Sequence, residues 1–273
     1  MERIIETQLI PEAKRSHLAR VLILGGTSEA SEIATLLVAR DDLDVISSLA
    51  GRITNPRLPD GMVRIGGFGG VAGLVRYLVD EKIDAVIDAT HPFASKISGN
   101  AEIACSTLSV PLIALERPPW ERQAGDCWRT VVDMHAAAAM VNHKKSRVFL
   151  SIGRQELGAF SGCEQASFLV RAIDEPNAVL PPNSELVLKR GPFDLNDELQ
   201  MLRDYCISVI VSKNSGGTAT YSKIEAAREL RIPVVMIARP PKHNIPTVSK
   251  LNDVLEMLAH YLNNSALKYV VTI

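Results

Sequence analysis

The sequence predicts an α/β protein with mainly parallel sheets, and three observations carry that prediction. Short, continuous apolar runs alternate with longer amphipathic segments. A parallel strand covered by helices reads as such a run, because both of its alternating sets of side chains are buried. Glycine-rich turns follow several of the runs directly. The alternation also restarts about halfway along the 273 residues, a length that suits one large domain or two ordinary ones.

In order, Val21 to Leu24 reads as a buried strand. Ser28 to Arg40 reads as a helix, with Ile33, Leu36 and Leu37 at helical spacing. Val45-Ile46 begins a second strand, and Pro56 and Pro59 mark the turn-rich stretch after it. Met62 to Ile65 is a short strand, Val71 to Leu78 a helix, Ala85 to Ile87 a buried strand, Phe93 to Cys105 a helix and Leu112 to Leu115 a strand. The restart brings strands at Val148 to Leu150, Phe168 to Val170 and Leu186 to Leu188, then a helix over Leu195 to Leu202. A strand at Val209 to Val211 precedes a helix over Thr218 to Leu230, a strand at Val234 to Ile237 and a last helix over Val254 to Leu262. Ala136 to Ala139 reads as plain helix, and Lys268 to Ile273 as an edge strand or a loose end. Pro118, Pro119 and the weakly patterned stretch after them place a boundary near 117–147. The expected division is an N-terminal extension over 1–19, a nucleotide-binding domain over 20–147 and a substrate-binding domain over 148–273.

Composition narrows the function. Apolar residues make up 47% and charged residues 22%, which excludes disorder and coiled coil as descriptions of the whole chain. Thirty basic and 31 acidic residues give no field that would select nucleic acid or an anionic membrane as the main partner. Cys105, Cys127, Cys163 and Cys206 form no C-x-x-C pair, so no metal site is expected, and scattered thiols suit a reducing compartment. The charged N-terminus lacks the apolar stretch of a secretory signal, and no apolar run approaches a membrane span. A cytoplasmic protein is expected.

The first motif with chemistry is Gly25-Gly26-Thr27-Ser28-Glu29-Ala30, which follows a strand and opens a helix. Backbone N–H groups at a helix start lack internal partners, and the helix dipole favours an anion there. The glycines allow a sharp turn and close approach, and Ala30 is small enough for helix and strand to pack. Thr27 and Ser28 offer hydroxyls that bond phosphate or cap the helix. Asp44 lies at the count expected for a ribose-binding acid, but at the wrong end of its strand. At the far end stand Ser48, Gly51 and Arg52, a hydroxyl and a guanidinium that suit the 2′-phosphate of NADP(H); otherwise Arg52 is a solvated loop charge. Gly67, Phe68 and Gly69, in a run with four glycines in five residues, open room for a cofactor with Phe68 packed on it, or form a flexible turn. Thr90, His91 and Pro92 follow the fourth strand, with Pro92 suited to a first helical turn. His91 either bonds backbone or phosphate, or transfers a proton.

Taken together, GGTSEA (25–30), SLAGRITNP (48–56), GGFGG (66–70), DATHPFASKISGNA (88–101), LERPPW (115–120), IGRQEL (152–157), LKRGPFDLNDE (188–198), VSKNSGGTATYSKIEAAREL (211–230) and PVVMIARPP (233–241) resemble the precorrin-6A reductase family of cobalamin biosynthesis. The resemblance covers roughly residues 20–262. It implies two Rossmann-like domains with the active site in the cleft between them, and strand exchange between the domains. It also implies NADPH-dependent reduction of one double bond in the precorrin-6A macrocycle to give precorrin-6B (precorrin-6Y), or the same reduction on cobalt-precorrin-6A.

The residues suit that chemistry. The cofactor carries the hydride, so the protein supplies position and electrostatics. A tetrapyrrole rich in carboxylates calls for basic groups. Arg117, Arg154, Lys189, Arg190, Lys213 and Arg239 all follow strand ends. Lys213-Asn214-Ser215-Gly216-Gly217 is expected to open a helix and to bind substrate or reach the cofactor; the alternative is a structural turn. The catalytic proton donor is open among His91, Lys213, Tyr221 and water, with a solvent proton as default. A monomer is expected. Two other classes share some features: a non-catalytic NADP-binding regulator, and a methyl transferase using S-adenosylmethionine. A P-loop enzyme is disfavoured because no G-x-x-x-x-G-K-S/T occurs.

Overall fold

A computed structural model of the chain describes residues 3–5, 18–241 and 243–270. The chain forms two compact units, Met1–Arg117 with Pro240–Ile273, and Pro118–Arg239.

The first unit holds β1 (Arg3–Ile5), β2 (Ala19–Leu24), α1 (Ser28–Val38), β3 (Leu43–Leu49), β4 (Met62–Ile65), α2 (Gly70–Asp80), β5 (Ala85–Asp88), α3 (Ser95–Leu108) and β6 (Leu112–Leu115). The second holds β7 (Trp128–Val131), α4 (Met134–Val141), β8 (Arg147–Ser151), a 3-10 helix at Arg154–Phe160, β9 (Ser167–Ala172), β10 (Ser184–Leu188), α5 (Leu195–Asp204), β11 (Val209–Lys213), α6 (Ser222–Glu229) and β12 (Val234–Ile237). The chain then returns to the first unit with β13 (Thr247–Val248) and α7 (Leu251–Val270).

The sheets run β1-β4-β3-β2-β5-β6-β13 and β10-β9-β8-β11-β12-β7. Every pairing is parallel except β1 against β4. After an edge strand, β1 in one sheet and β7 in the other, the chain enters a central strand, β2 or β8, moves outward twice, then crosses to the other side. That doubly wound order leaves a crevice at the carboxyl ends of β2 and β5, and another at β8 and β11, where the order reverses.

The continuous apolar runs are explained by burial on both faces. Val21 and Ile23 of β2 pack with Ile33, Ala34 and Leu37 of α1 and with Val254 and Leu258 of α7. Leu22 and Leu24 face the other way, onto Leu74 and Leu78 of α2 and Ala101, Ala104 and Cys105 of α3. In the second unit Phe149, Leu169, Ile210, Val234 and Met236 pack with Leu199 and Leu202 of α5 and Ile224, Ala226 and Ala227 of α6. Each Val, Leu, Ile, Phe or Met side chain among them contributes about 1.5–3 kcal/mol on burial, and each alanine less.

Several expectations need correction. A cut near residue 147 does not match the compact units. Val254 and Leu258 fill the core around β2, so the C-terminal segment completes the first unit. The stretch after Pro119 contains β7, whose register on β12 runs Trp128 with Val234 to Val131 with Ile237. Its mixed burial hid it from pattern reading. Arg3–Ile5, in the expected loose extension, pairs with Val63–Ile65. Lys268 to Val270, with strand propensity, continue α7; a long amphipathic helix overrides local preference there. Residues 271–273 and 6–17 lie outside the described residues. Pro92 stands three residues before α3, and Gly217 stands five before α6, so neither turn opens its helix directly.

Candidate functional site

In the first unit, the predicted cofactor residues gather at the carboxyl ends of four neighbouring strands, β4, β3, β2 and β5. Backbone bonds tie these ends into one cradle. Gly25 N–H donates to Ser48 O at 2.9 Å, Gly66 N–H to Leu49 O at 2.9 Å, and Ala89 N–H to Leu24 O at 2.9 Å.

The turn after β2 is the centre of the cradle. Gly26 has φ +107°, a conformation glycine adopts without a steric cost, and a Cβ there would meet nothing within 4 Å. A Cβ on Gly25 would lie 3.3 Å from Ala30 Cβ, so the helix start sits close on the strand end. Thr27 caps α1: its hydroxyl accepts from Ala30 N–H at 3.1 Å and donates to Ala89 O at 2.7 Å. Both capacities serve the fold, and the same hydroxyl joins the β2 and β5 loops. Ser28 Oγ donates to Glu29 Oε2 at 3.1 Å.

Glu29 stands in the first turn of α1, and Arg117, expected to bind substrate, lies 2.8 Å from its carboxylate. Burial opposes the Glu29 charge, but its own backbone N–H and Arg117 outweigh burial and hold the carboxyl below its usual range. The arginine also neutralises an acid that would otherwise repel an anion at this helix start.

Ser48 is buried and accepts from Arg64 Nη1 at 3.0 Å, whereas Gly51 and Arg52 are exposed just beyond β3. Arg64 was not singled out from the sequence. It is 1% exposed, donates to Gly66 O at 3.0 Å and Gly67 O at 3.3 Å, and stacks 3.8 Å under the Phe68 ring. It thus fixes the glycine loop, whose Gly66, Gly67 and Gly69 have open space where a Cβ would stand. The only signal for Arg64 was a charged residue inside a four-residue apolar strand. Asp44 is held at the start of β3 by Arg20 at 2.8 Å, at the opposite end from the cradle.

After β5, buried Asp88 accepts from Thr90 Oγ1 at 2.6 Å and Thr90 N–H at 3.1 Å. His91 Nδ1 accepts from Phe93 N–H at 3.2 Å. Asp88 was also missed, although it is the acid that ends the strand. Cys105, buried and near the Asp88 charge, has its thiol pushed up to about 12 and is no nucleophile at neutral pH. Pro92 lines a small cavity of about 60 Å³ with Asp88, Ser98 and His243. His243 is anchored to α3, its Nε2 lying 2.9 Å from Ser95 O and its Nδ1 3.2 Å from Glu102.

In the second unit, Arg154, Lys189, Arg190, Lys213 and Arg239 stand at or beyond the ends of β8, β10, β11 and β12. They are not equivalent. Lys213 is buried and bonds Glu156 at 2.5 Å. Arg239 donates to Asn214 O at 2.9 Å and Ser215 O at 3.1 Å. Asn214 is clasped by the Trp120 backbone, accepting at 2.7 Å and donating at 3.0 Å. A Cβ on Gly216 would lie 2.1 Å from Pro118 O. Gly217 O accepts from the Trp120 indole at 2.7 Å. The turn is therefore knitted to Trp120 and Arg239, and Lys213 ties it to the 3-10 segment. Tyr221 Oη accepts from Arg228 Nη2 at 2.7 Å. Lys189 and Arg190 are exposed beyond the edge strand β10.

Among the described residues, no group of three or more His, Cys, Asp or Glu side chains could hold a metal ion, and no helix is long and apolar enough to cross a membrane.

Known proteins match this architecture. The family model described as precorrin-6x reductase CbiJ/CobK matches residues 20–259. A precorrin-6A reductase of Rhodococcus erythropolis is 46% identical over 242 residues, covering 89% of this chain and 97% of that protein. A cobalt-precorrin-6A reductase of Priestia megaterium is 25% identical over 252 residues, covering 88% of this chain and 98% of that protein. The solved structure of a CobK precorrin-6A reductase superposes with a TM-score of 0.83 at 43% identity, covering 89% of this chain and 97% of the other. With two doubly wound units and a family match that runs through both, the chain belongs to the precorrin-6x reductase family.

Proposed function

We propose that the chain reduces one double bond of metal-free precorrin-6A with NADPH, giving precorrin-6B (precorrin-6Y) in cobalamin biosynthesis. The observation that carries this reading is the cradle at the ends of β4, β3, β2 and β5. Its glycine turns leave room for a dinucleotide, and a helix start faces the crevice where the strand order reverses. When bound, the reduced nicotinamide supplies the hydride.

The chain's own residues hold and orient. The start of α1 at Gly25, Gly26 and Ser28 takes the pyrophosphate, with Thr27 and Ala30 setting its geometry. Glu29 is kept neutralised by Arg117. Arg52 at the end of β3 meets the 2′-phosphate, and the absence of an acid there supports NADPH over NADH. Phe68, seated on Arg64, walls the glycine loop. Thr90 and His91 border the crevice from β5, with His91 held by the Phe93 amide. In the second unit, Lys189, Arg190 and Arg154 meet substrate carboxylates, while Lys213 and Asn214 to Gly217 shape the turn behind them. The proton that completes the reduction comes from solvent.

The greater likeness to a relative named for precorrin-6A than to one named for its cobalt form supports the metal-free substrate. The scattered thiols support a reducing, cytoplasmic setting. No nucleic-acid or membrane partner is included, and the working unit is a monomer. The test is anaerobic NADPH oxidation with metal-free precorrin-6A, beside cobalt-precorrin-6A, with NADH as control. Turnover of the metal-free substrate with NADPH is expected. Turnover of the cobalt form alone would reverse the substrate, and tight NADPH binding without turnover of either would favour a regulator.

A further inference from the structure

The loop Lys189–Asp194 leaves β10, the edge strand of its sheet, which pairs with β9. Beyond the sheet, Lys189 Nζ stands 4.0 Å from Asp197, and Phe193 packs on a buried arginine. Arg171 on β9 has a side chain 4% exposed and forms a buried ion pair with Glu198 of α5, whose side chain is 2% exposed. The guanidinium lies 3.7 Å from the Phe193 ring centroid and 4.8 Å from that of Phe149. One cation thus grips the loop through Phe193 and the following helix through Glu198. A Cβ on Gly191 would stand 3.1 Å from the Phe193 ring, so the loop closes tightly on this ring. Asp194 caps α5 through Asn196 N–H at 2.8 Å, and Lys189 N–H donates to Ala172 O at 3.0 Å.

A buried ion pair is weak evidence for stability, and this one leaves two polar atoms unserved. Arg171 Nη2 and Glu198 Oε2 are buried without a hydrogen-bond partner. Replacing a buried ion pair by apolar residues of like volume is often neutral or stabilising. What the pair provides is a seat for Phe193, in the loop that begins with the exposed cations Lys189, 4.0 Å from Asp197, and Arg190.

We propose that Arg171, held by Glu198, is a positioning residue that seats Phe193 and thereby presets Lys189 and Arg190 for the carboxylates of the tetrapyrrole. This rests on the assignment of Lys189 and Arg190 to the substrate. Presetting two long side chains lowers the ordering cost of binding and leaves the hydride step untouched.

The experiment is steady-state kinetics on the full chain with precorrin-6A. Arg171→Met/Glu198→Leu removes both charges together and keeps volume. It is expected to melt at or above the parent temperature, keep kcat, leave the KM for NADPH unchanged, and raise the KM for the tetrapyrrole about fivefold or more. Phe193→Ala is expected to raise the same KM while Phe193→Tyr, which keeps the ring, restores it; this pair decides the matter if the double variant does not fold. Adding Lys189→Ala/Arg190→Ala to the charge-free variant is expected to raise KM no further than Lys189→Ala/Arg190→Ala alone. If Lys189→Ala/Arg190→Ala leaves the KM unmoved, the substrate assignment fails. If it raises KM but a folded Arg171→Met/Glu198→Leu and Phe193→Ala do not, the positioning role is overturned.

Discussion

The turns after β2 and β8 hold the same place in two sheets of the same winding, yet they are built for different work. After β2 the chain turns through Gly25-Gly26 straight into an 11-residue α-helix, with open space at Gly26. After β8 it turns through Gly153 into a 3-10 helix, and Glu156 in that segment bonds Lys213 from the far side of the reversal point. A 3-10 segment lacks the aligned donors of an α-helix start, and here an acid of that segment is paired with a lysine of β11. The winding is repeated and the anion-binding device is not. Function follows the site and not the fold, and the proposed cofactor site lies in the first unit.

The largest way to sharpen this contrast is to add one methyl group to each unit. Gly216→Ala in the second unit drives a Cβ to 2.1 Å from Pro118 O at φ +68°, and should cost about 3 kcal/mol or more of unfolding free energy in urea. Gly26→Ala meets no atom within 4 Å and should cost about 1–2 kcal/mol from φ alone, with a disproportionate loss of NADPH affinity. Equal effects on stability and no effect on NADPH would erase the distinction.

Next, Thr27→Ala removes the cap and the bridge to Ala89, and should cost about 1–2 kcal/mol by urea titration, with Thr27→Ser recovering most of it. Arg52→Ala should weaken NADPH binding about tenfold and NADH binding hardly at all, read by titration calorimetry. Loss of both to the same degree would remove the 2′-phosphate contact.

The smallest effect is electrostatic. Glu29 is held below its usual range, so its pairing stabilises the fold above its unfolded value, and that contribution is lost as pH falls through the folded one. Glu29→Gln should therefore be less stable than the parent at pH 7, by less than about 1 kcal/mol for this partly exposed pair. The gap should close below pH 4.5 in parallel urea titrations.

How much of this was legible follows from physics. The core strands could be read because burial on both faces leaves an unbroken apolar run, as in Val21 to Leu24. β7 could not, because Arg129 and Thr130 are exposed and only Val131 is buried. The allegiance of α7 could not be read either, since helical spacing says that Val254 and Leu258 are buried but not against which sheet. The cradle of the first unit was legible because glycine turns sit at fixed offsets from strands. The supports beneath it were not: Arg64 under Phe68 and Arg171 under Phe193 are buried charges that sequence patterning assigns to the surface. In the second unit the cations at strand ends were visible, but only the packing shows that Lys213 and Arg239 are committed to Glu156 and to the turn.

The division of labour between the units is tested most directly by NADPH binding without substrate, followed by fluorescence titration of Gly26→Ala and of Lys189→Ala/Arg190→Ala beside the parent chain. The first-unit change is expected to weaken NADPH binding at least about tenfold while the second-unit change leaves it unaltered. An unaltered Kd for Gly26→Ala, or a comparable loss from the second-unit change, would contradict it.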